Sequence, residues 1–559
     1  MPVVLGLLTT TTARAQGPAW QNVVTTIQAG GNISQINAIA TDTNGNLFLV
    51  GTFTGTVNFG STSLTSIGSS SGFVAKWSVA TNNFLWAQQQ AGSITALVVN
   101  GTSVYLGGFF QGTISFGGNT LTSAGGTDGF LAKLIDTGTS SSFVWAQSIG
   151  GIGEEFTFGL CANNTNLYIV GEFGSPTINL GGTTLTNAGT NSTDAFIAKL
   201  ADTGNTASFT WAQRAGGSSR DYASAVAVSG TDVYVAGSFY SRMAGIGSFT
   251  LTNASSTIST SDIFITKLAD VGSTSNFTWV QRAGGSLYDE PAVIAINGSN
   301  VYVTGRFNSQ AIDFGGTTLT NASTSFDAFV AKLTDLGRTS SFTWAQRAGG
   351  TGHEAPSALV VSESSVFVAG SFFGAPATFG STTLTNANRD DNTYDVFVTR
   401  LLDTGSTSSF TWAQHAGGTG NDSASGLLLN GTSLYVTGSI TPPASFGSQI
   451  VSGPASTRIG FLASLVNQPL ATTHPVWAGN LHVYPNPANR AVTLRLEAIP
   501  SVIQATLTIC DALGRTIRTI HLPATNSIVE VSLLDITPGL YQLHIQAGTQ
   551  HISRALTIE

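Results

Sequence analysis

Short runs in which apolar and polar residues alternate, separated by Gly, Asn, Ser and Thr, cover most of this 559-residue chain. Such alternation marks strands with one buried face. Ala223–Val228 leads through Ser-Gly-Thr-Asp into Val233–Gly237, and Phe196–Leu200 leads through a Gly-containing turn into Phe209–Gln213, which reads as two hairpins. No segment sustains an i, i+3, i+4 apolar spacing, so helices are expected to be nearly absent.

These strands recur as a set. A Gly, usually the second of a pair, stands at 31, 92, 151, 217, 285, 350 and 418, with a mean spacing of about 64 residues. A strand of the Val-Tyr-Val type follows each one, then an aromatic-Gly landmark, then a strand opening at Phe73, Phe130, Phe196, Phe264, Phe329, Phe397 or Phe461. Four strands per unit, with a Gly-Thr-rich excursion between the second and third, predict a seven-bladed β-propeller; a linear solenoid is the alternative. The last unit stops at Phe461–Leu465 without a Trp strand, while the chain opens with Trp20-Gln-Asn-Val-Val-Thr. Pairing the two removes an open edge, so the first strand is predicted to complete the seventh unit. Asp327-Ala-Phe-Val-Ala-Lys-Leu, Trp344-Ala-Gln-Arg-Ala-Gly-Gly and Val233-Tyr-Val-Ala-Gly resemble the β-propeller repeats of many secreted bacterial proteins. That resemblance covers about residues 20–466 and implies no particular activity.

Beyond Val466 the texture changes. Residues 467–479, with two prolines and no alternation, read as a linker. From 480 to 559 longer aliphatic strands, about six or seven in number, predict a small antiparallel Ig-like β-sandwich. Tyr484-Pro485-Asn486-Pro487, then Asp511 with Gly514, then Gly539 with Tyr541, resemble the type A C-terminal sorting domain of the type IX secretion system. The resemblance implies export through the outer-membrane type IX machinery and a destination outside the cell or on its surface. Residues 1–15, a short apolar run ending in Ala13-Arg14-Ala15, read as a secretory signal peptide, although a basic start is missing and the true N-terminus could lie upstream. The propeller would then occupy 16–466.

Composition narrows the function classes. Charged residues make up 9%, against about 25% in ordinary soluble domains, and the formal net charge of −8 is thinly spread. No basic patch suggests a nucleic-acid partner, and no apolar run approaches the 18 residues of a membrane span. Two cysteines, Cys161 and Cys510, supply neither a disulfide framework nor a zinc site, and both read as buried small hydrophobes.

Candidate chemistry sits at repeat positions. All five lysines, Lys76, Lys133, Lys199, Lys267 and Lys332, share one position, which Arg400 and Ser464 complete; this reads as a solvated strand face, or else as an anion-binding ring. Acidic residues recur shortly after the Gly pair (Glu155, Asp221, Asp289, Glu354, Asp422) and before the Phe strand (Asp128, Asp194, Asp262, Asp327, Asp395). The first set is a candidate ligand-binding ring, for Ca²⁺, a cation or a sugar, although Asp beside a Gly turn is also a routine backbone partner and no Asp-x-Asp-x-Asp-Gly loop is present. No cofactor is required. His353-Glu354 is the one His beside a carboxylate in the repeats, Glu154-Glu155 is an acid/base candidate whose adjacent side chains point to opposite faces of a strand, and no nucleophile elbow, zinc-protease or phosphate-loop motif occurs. No catalytic or metal-binding residue is therefore assigned. The expectation is an exported, non-catalytic binding or adhesion module for a surface glycan or extracellular protein; a polysaccharide- or peptide-degrading enzyme and a structural spacer are the alternatives.

Overall fold

The computed structural model describes residues 17–28, 33–255, 260–321, 323–388, 393–455, 457–466, 481–496, 505–511, 516–522, 527–547 and 550–559. The expected signal peptide and linker, and Gly514 of the sorting motif, lie outside them. Every regular element among the described residues is a β-strand. The chain divides into two compact units, 1–467 and 468–559.

In the N-terminal unit the hairpins read from the sequence join into four-stranded antiparallel meanders. One of them runs Asp221–Ser229, Asp232–Phe239, Asp262–Asp270, Ser275–Ala283, each strand paired to the next. The same order builds sheet 1 (34–90), sheet 2 (93–149), sheet 3 (155–216), sheet 4 (221–283), sheet 5 (289–350) and sheet 6 (353–418). Sheet 7 takes Ser423–Asn430, Ser433–Ile440 and Ile459–Val466 from the end of the unit and Trp20–Thr25 from its start, with Asn22 opposite Ser464 and Val24 opposite Leu462. The first strands of successive sheets pack against one another, and Ser423–Asn430 of sheet 7 returns to Ser34–Thr41 of sheet 1. They form the inner lining of a propeller-like all-β fold, and the apolar cores lie between neighbouring sheets: Tyr168, Trp211, Val226, Val235 and Leu268 pack in one of them.

The Gly-Thr excursions fold as small hairpins such as Ala311–Phe314 with Thr317–Thr320. Three of them pair into the preceding sheet: Ala215 and Gly216 with Ile246 and Gly245, Gly349 and Gly350 with Thr378 and Ala377, and Gly417 and Gly418 with Ser445 and Ala444. The extra length of the repeat thus serves as a tie between neighbours. Further ties run from side chains to backbone. Gln213 donates to the Ser275 carbonyl at 3.1 Å, Ser224 to Pro291 at 3.0 Å and Asn163 to Gly230 at 2.6 Å.

The lysine position differs from its expected solvated face. Tyr168, Lys199 and Trp211 lie side by side across three strands of sheet 3, and all three bond Asp270 at the end of the third strand of sheet 4, at 2.7, 2.6 and 3.1 Å. The same arrangement joins Lys76, Lys133, Lys267 and Lys332 to Asp136, Asp202, Asp335 and Asp403. The lysines are 3–5% exposed, so they are buried staples rather than a solvated face. Such burial requires a partner charge, because an isolated ammonium in the interior is prohibitively unfavourable. At the junction of sheets 7 and 1 donor and acceptor are both absent: Ser464 and Val79 stand at their positions and line a cavity of about 130 Å³ with Asn22 and Tyr435. Arg400, at the lysine position of sheet 6, bonds the Ser365 hydroxyl at 3.1 and 2.9 Å.

The Trp20 strand completes sheet 7 with its tryptophan at the place of Phe209, not that of Trp211. Trp20 pairs with Leu465, the place Phe209 holds opposite Leu200 in sheet 3, and Asn22 takes the tryptophan's place opposite Ser464. Its ring meets Phe446 edge-on at 5.1 Å. Of the two cysteines, Cys510 is buried and Cys161 is half-buried at a core margin.

The described residues of the C-terminal unit form two sheets. Leu481–Tyr484, Ala491–Leu496 and Ser527–Ser532 form one; Thr516–Leu522, Ala505–Asp511, Gly539–Ala547 and Gln550–Ile558 form the other. Val492, Leu494, Leu507, Ile509, Leu543 and Leu556 fill the space between them. Tyr541 is buried, and its hydroxyl donates to the Thr537 carbonyl at 2.7 Å, tying the strand start to the turn before it. Asp511 pairs with Tyr541, and Asn486 accepts from the Thr557 N–H at 2.9 Å. Tyr484 is 45% exposed.

Candidate functional site at the channel mouth

Five of the seven inner strands carry, at or next to their first residue, the acid that the sequence singles out; those of sheets 1 and 2 open on Ser34 and Ser93 instead. Glu155, Asp221, Asp289, Glu354 and Asp422 are fully buried. Each accepts a hydrogen bond from the N–H of the Gly four residues earlier, at 2.6–3.2 Å: Gly151, Gly217, Gly285, Gly350 and Gly418. Their other contacts reach the start of the excursion. Asp221 also takes the Tyr240 N–H and the Ser241 hydroxyl, and Asp422 the Thr441 N–H. These carboxylates are turned into the wall, against backbone donors, and do not form an open ring. The second acidic set stands beside them: at Gly216, whose φ is +150°, an added Cβ would lie 2.3 Å from an Asp194 oxygen and 2.9 Å from an Asp221 oxygen, so only glycine fits. Arg214, Arg282 and Arg347 pair with Asp194, Asp262 and Asp327 at 2.5–2.6 Å.

Burial pushes Asp221 up to about 6 and Asp289, Asp395 and Asp422 to about 7, with Asp262 and Asp395 adding to the rise in their neighbours Asp289 and Asp422. Glu354 is raised by burial and by Asp327 beside it.

Because strand side chains alternate, the residue after each buried carboxylate faces the other way. That position carries Phe156, Tyr222, Glu290, Ala355 and Ser423, opposite Glu172, Ser238, Arg306, Ser371 and Ser439 on the second strand. Here the repeat breaks, and chemistry gathers. Arg220 holds Glu172 through two bonds of 3.0 Å and lies 4.7 Å over the Tyr222 ring. Tyr240 donates to Glu290 at 3.0 Å, and Arg306 binds Glu290 at 2.7 and 3.0 Å. Arg306 also lies 4.7 Å over Phe326, which stacks on His353 at 5.0 Å; His353 meets Tyr394 at 6.0 Å and Tyr394 meets Phe373 at 4.8 Å. Phe158 extends the belt from Tyr222 toward Phe156 and Phe109. Most of these rings are half-exposed.

Within the belt a cavity of about 400 Å³ is lined by Arg306, His353, Tyr394, Asn421, Asp422 and Arg458, among others. Arg458 donates to the Ser439 and Ser423 hydroxyls at 2.7 and 3.0 Å. Burial pulls its pKa below the usual arginine value, with Asp422 opposing. Burial and Arg306 together lower His353, with Glu290 opposing. Burial lifts Tyr222 to about 12 and Tyr240 higher still, Glu290 adding to both. His353 and Glu354, adjacent in sequence, are thus separated: the imidazole faces the cavity and the carboxyl lies in the wall. Glu154 is exposed beside Arg220 in a separate depression, while Glu155 is buried. Among the described residues no group of three or more His, Cys, Asp and Glu is placed to hold a metal ion. The sequence signal for this site was available: the position next to a constant carboxylate is the one that changes chemistry from unit to unit.

Residues 482–559 match the family described as the secretion system C-terminal sorting domain. No curated protein matches the chain. Solved structures similar to it include a crystal structure of a protein of unknown function from Dyadobacter fermentans DSM 18053, 10% identical over 81% of this chain and 100% of that one, with a TM-score of 0.37. The phage phi92 endosialidase is 10% identical over 97% of this chain and 88% of its own, also at 0.37. PorZ, described as a surface component of the type IX secretion system of Porphyromonas gingivalis, is 10% identical over 96% and 100%, at 0.13. Likenesses at this level carry no argument about activity. The C-terminal match does: residues 482–559 are a sorting domain of the type IX secretion system, and the chain is a protein exported across the outer membrane to the cell surface or the extracellular space.

Proposed function

We propose that the N-terminal unit is a closed seven-bladed β-propeller within residues 16–466, joined by the 467–479 linker to an Ig-like sorting sandwich at 480–559, and that the propeller is a non-catalytic binding module. One observation carries the functional part of this reading. The repeating polar residues bond the wall to itself, whereas the non-repeating arginines and half-exposed aromatics gather at one end of the inner strands. A spacer needs no such gathering, and small-ligand sites are commonly concave, aromatic-lined and furnished with a few polar groups. The buried carboxylates cap the turns between blades, so the reading needs no Ca²⁺.

A glycosidase reading would rest on the Tyr240–Glu290 pair. Against it, Glu290 is clamped by Arg306 and Glu172 by Arg220, and Tyr240 is raised rather than activated. The test is an array of glycans and extracellular proteins probed with the full chain, with Ca²⁺ and with chelator. Binding is expected to persist in chelator, to drop in Tyr222→Ala or Tyr394→Ala, and to ignore Thr383→Ala on an outer hairpin. Binding lost in chelator, or insensitive to both tyrosines, contradicts the reading, and consumption of an array glycan favours the enzyme.

A further inference from the structure

We propose that the cavity of about 130 Å³ at the junction of sheets 7 and 1 is a binding site for a small aromatic molecule with one polar edge, of the size of phenol or indole. The site shares no residue with the belt of arginines and aromatics and goes beyond the binding-module reading.

The first argument comes from the repeat itself. At five junctions this place is filled by a Trp indole and a Lys ammonium from one sheet, both bonded to an Asp carboxylate of the next, as in Trp211, Lys199 and Asp270. In sheet 7, Asn22 and Ser464 hold the Trp and Lys positions, paired with each other as Trp211 pairs with Lys199. Val79, three residues after Lys76, holds the aspartate position in sheet 1. These exchanges take away a two-ring side chain and a lysine stem, and the cavity is the volume they vacate. Protein interiors otherwise pack to the density of organic crystals, so a void here leaves its lining without contacts that an occupant would restore.

The second argument is the lining, which gains an aromatic wall as it loses the staple. Trp77 stands opposite Phe84 where Leu200 stands opposite Phe209 in sheet 3. It is buried, and Phe84 backs it edge-on at 4.8 Å. Tyr435 also lines the cavity and pairs with Ser464 as Tyr168 pairs with Lys199. Its counterparts Tyr105, Tyr168, Tyr234 and Tyr302 donate to the aspartate of a following sheet at 2.7 Å, a place that belongs to Val79 at this junction. Burial raises the Tyr435 pKa, so the phenol keeps its proton as a donor for a ligand. Val79 and Asn82 are exposed, and Asn22 donates to Asn82 at 2.8 Å, so the cavity opens to solvent beside this pair. Two aromatic rings and aliphatic side chains, with a few hydroxyls and amides, suit an apolar ring carrying one hydrogen-bonding atom. The volume is close to the roughly 150 Å³ of an engineered cavity that takes benzene, which limits the ligand to a ring or a fused pair.

The experiment is calorimetric titration of the full chain with phenol, indole, benzene and cyclohexanol, the last a ring of similar size without aromatic faces. Phenol or indole is expected to bind saturably, and cyclohexanol about five- to tenfold more weakly, the scale of an aromatic contact. Two variants fill the cavity: Val79→Phe from sheet 1, and the triple Asn22→Trp, Ser464→Lys, Val79→Asp, which restores the staple. Each is expected to weaken aromatic binding by roughly tenfold or more, because the ligand's place is taken. Thermal melts establish that both fold. Tyr435→Phe removes only the hydroxyl and is expected to weaken phenol several-fold while leaving benzene unchanged. Aromatic binding undiminished in both filled chains overturns the site. Cyclohexanol binding as tightly as phenol and indole overturns the ligand class. No saturable binding of either phenol or indole overturns the inference, and none of these outcomes touches the mouth, whose residues every variant leaves in place.

Discussion

At the scale of single residues the molecule contains two kinds of buried carboxylate with opposite titration. Asp270 illustrates the first. Burial works to raise its pKa, but bonds from Lys199, Tyr168, the Gly272 N–H and Trp211 overcome that and hold it below the usual value. Asp270→Ala leaves Lys199 buried without its partner and is expected to destabilise the propeller by about 3–5 kcal/mol in urea melts, whereas Asp270→Ala with Lys199→Met should recover much of the loss. A loss under about 1 kcal/mol would contradict the staple. The second kind is Asp221, Asp289, Asp395 and Asp422, raised by burial to about 6 or 7 from 3.8. A raised folded pKa stabilises below the unfolded value and loses that contribution as pH climbs through the folded one; the depressed aspartates Asp202, Asp270, Asp335 and Asp403 do the reverse below about 4. The melting temperature is therefore expected to be highest near about pH 4 and to fall between about pH 4 and 7, with a shallower fall in Asp422→Asn. A profile flat from pH 4 to 7 would show that these groups ionise freely in the fold.

At the scale of elements, alternation and turn chemistry made the strands and the excursions readable from the sequence, while contacts between repeats were not. Lys199 and its acceptor Asp270 stand in different units, so each looked like a lone surface charge until the sheets were placed side by side. The bulge in every outer strand was equally hidden. Lys199 pairs with Trp211 and Leu200 with Phe209, leaving Thr210 as an extra residue. Simple alternation puts Phe209 and Trp211 on one face; the bulge sends Phe209 into the core shared with Tyr105 and Trp145 of sheet 2, and Trp211 into the core shared with Phe264 and Leu268 of sheet 4. Trp211→Ala is expected to cost about 3–5 kcal/mol. Because the two rings serve separate cores, its effect should add to that of Phe209→Ala within about 0.5 kcal/mol in a double-mutant cycle, and a large coupling energy would place them in one core. The mouth escaped notice for a related reason: it is assembled from single non-repeating residues whose common feature is register, not spacing.

At the scale of the whole molecule, the proposed binding role depends on the proposed closure of the ring, since the belt of arginines and aromatics is shared among the sheets. Closure falls to a strand from the first residues of the unit paired with one from its last. That seam lacks the lysine staple, with Asn22, Val79 and Ser464 where five other junctions carry Trp, Asp and Lys, and it relies on strand pairing together with stitches such as the Ser425 hydroxyl on the Ile36 carbonyl and Asn430 on Gly45 at 3.0 Å. Asn22 and Ser464 are direct partners, within the Cα separation a disulfide accepts. The decisive measurement is oxidation of the Asn22→Cys, Ser464→Cys chain with Cys161 and Cys510 replaced by Ser. The closed ring predicts a rapid bond within one chain, a reducible shift in gel mobility and a raised melting temperature. Thiols that stay free, or pair only between chains, would contradict closure and with it the shared mouth.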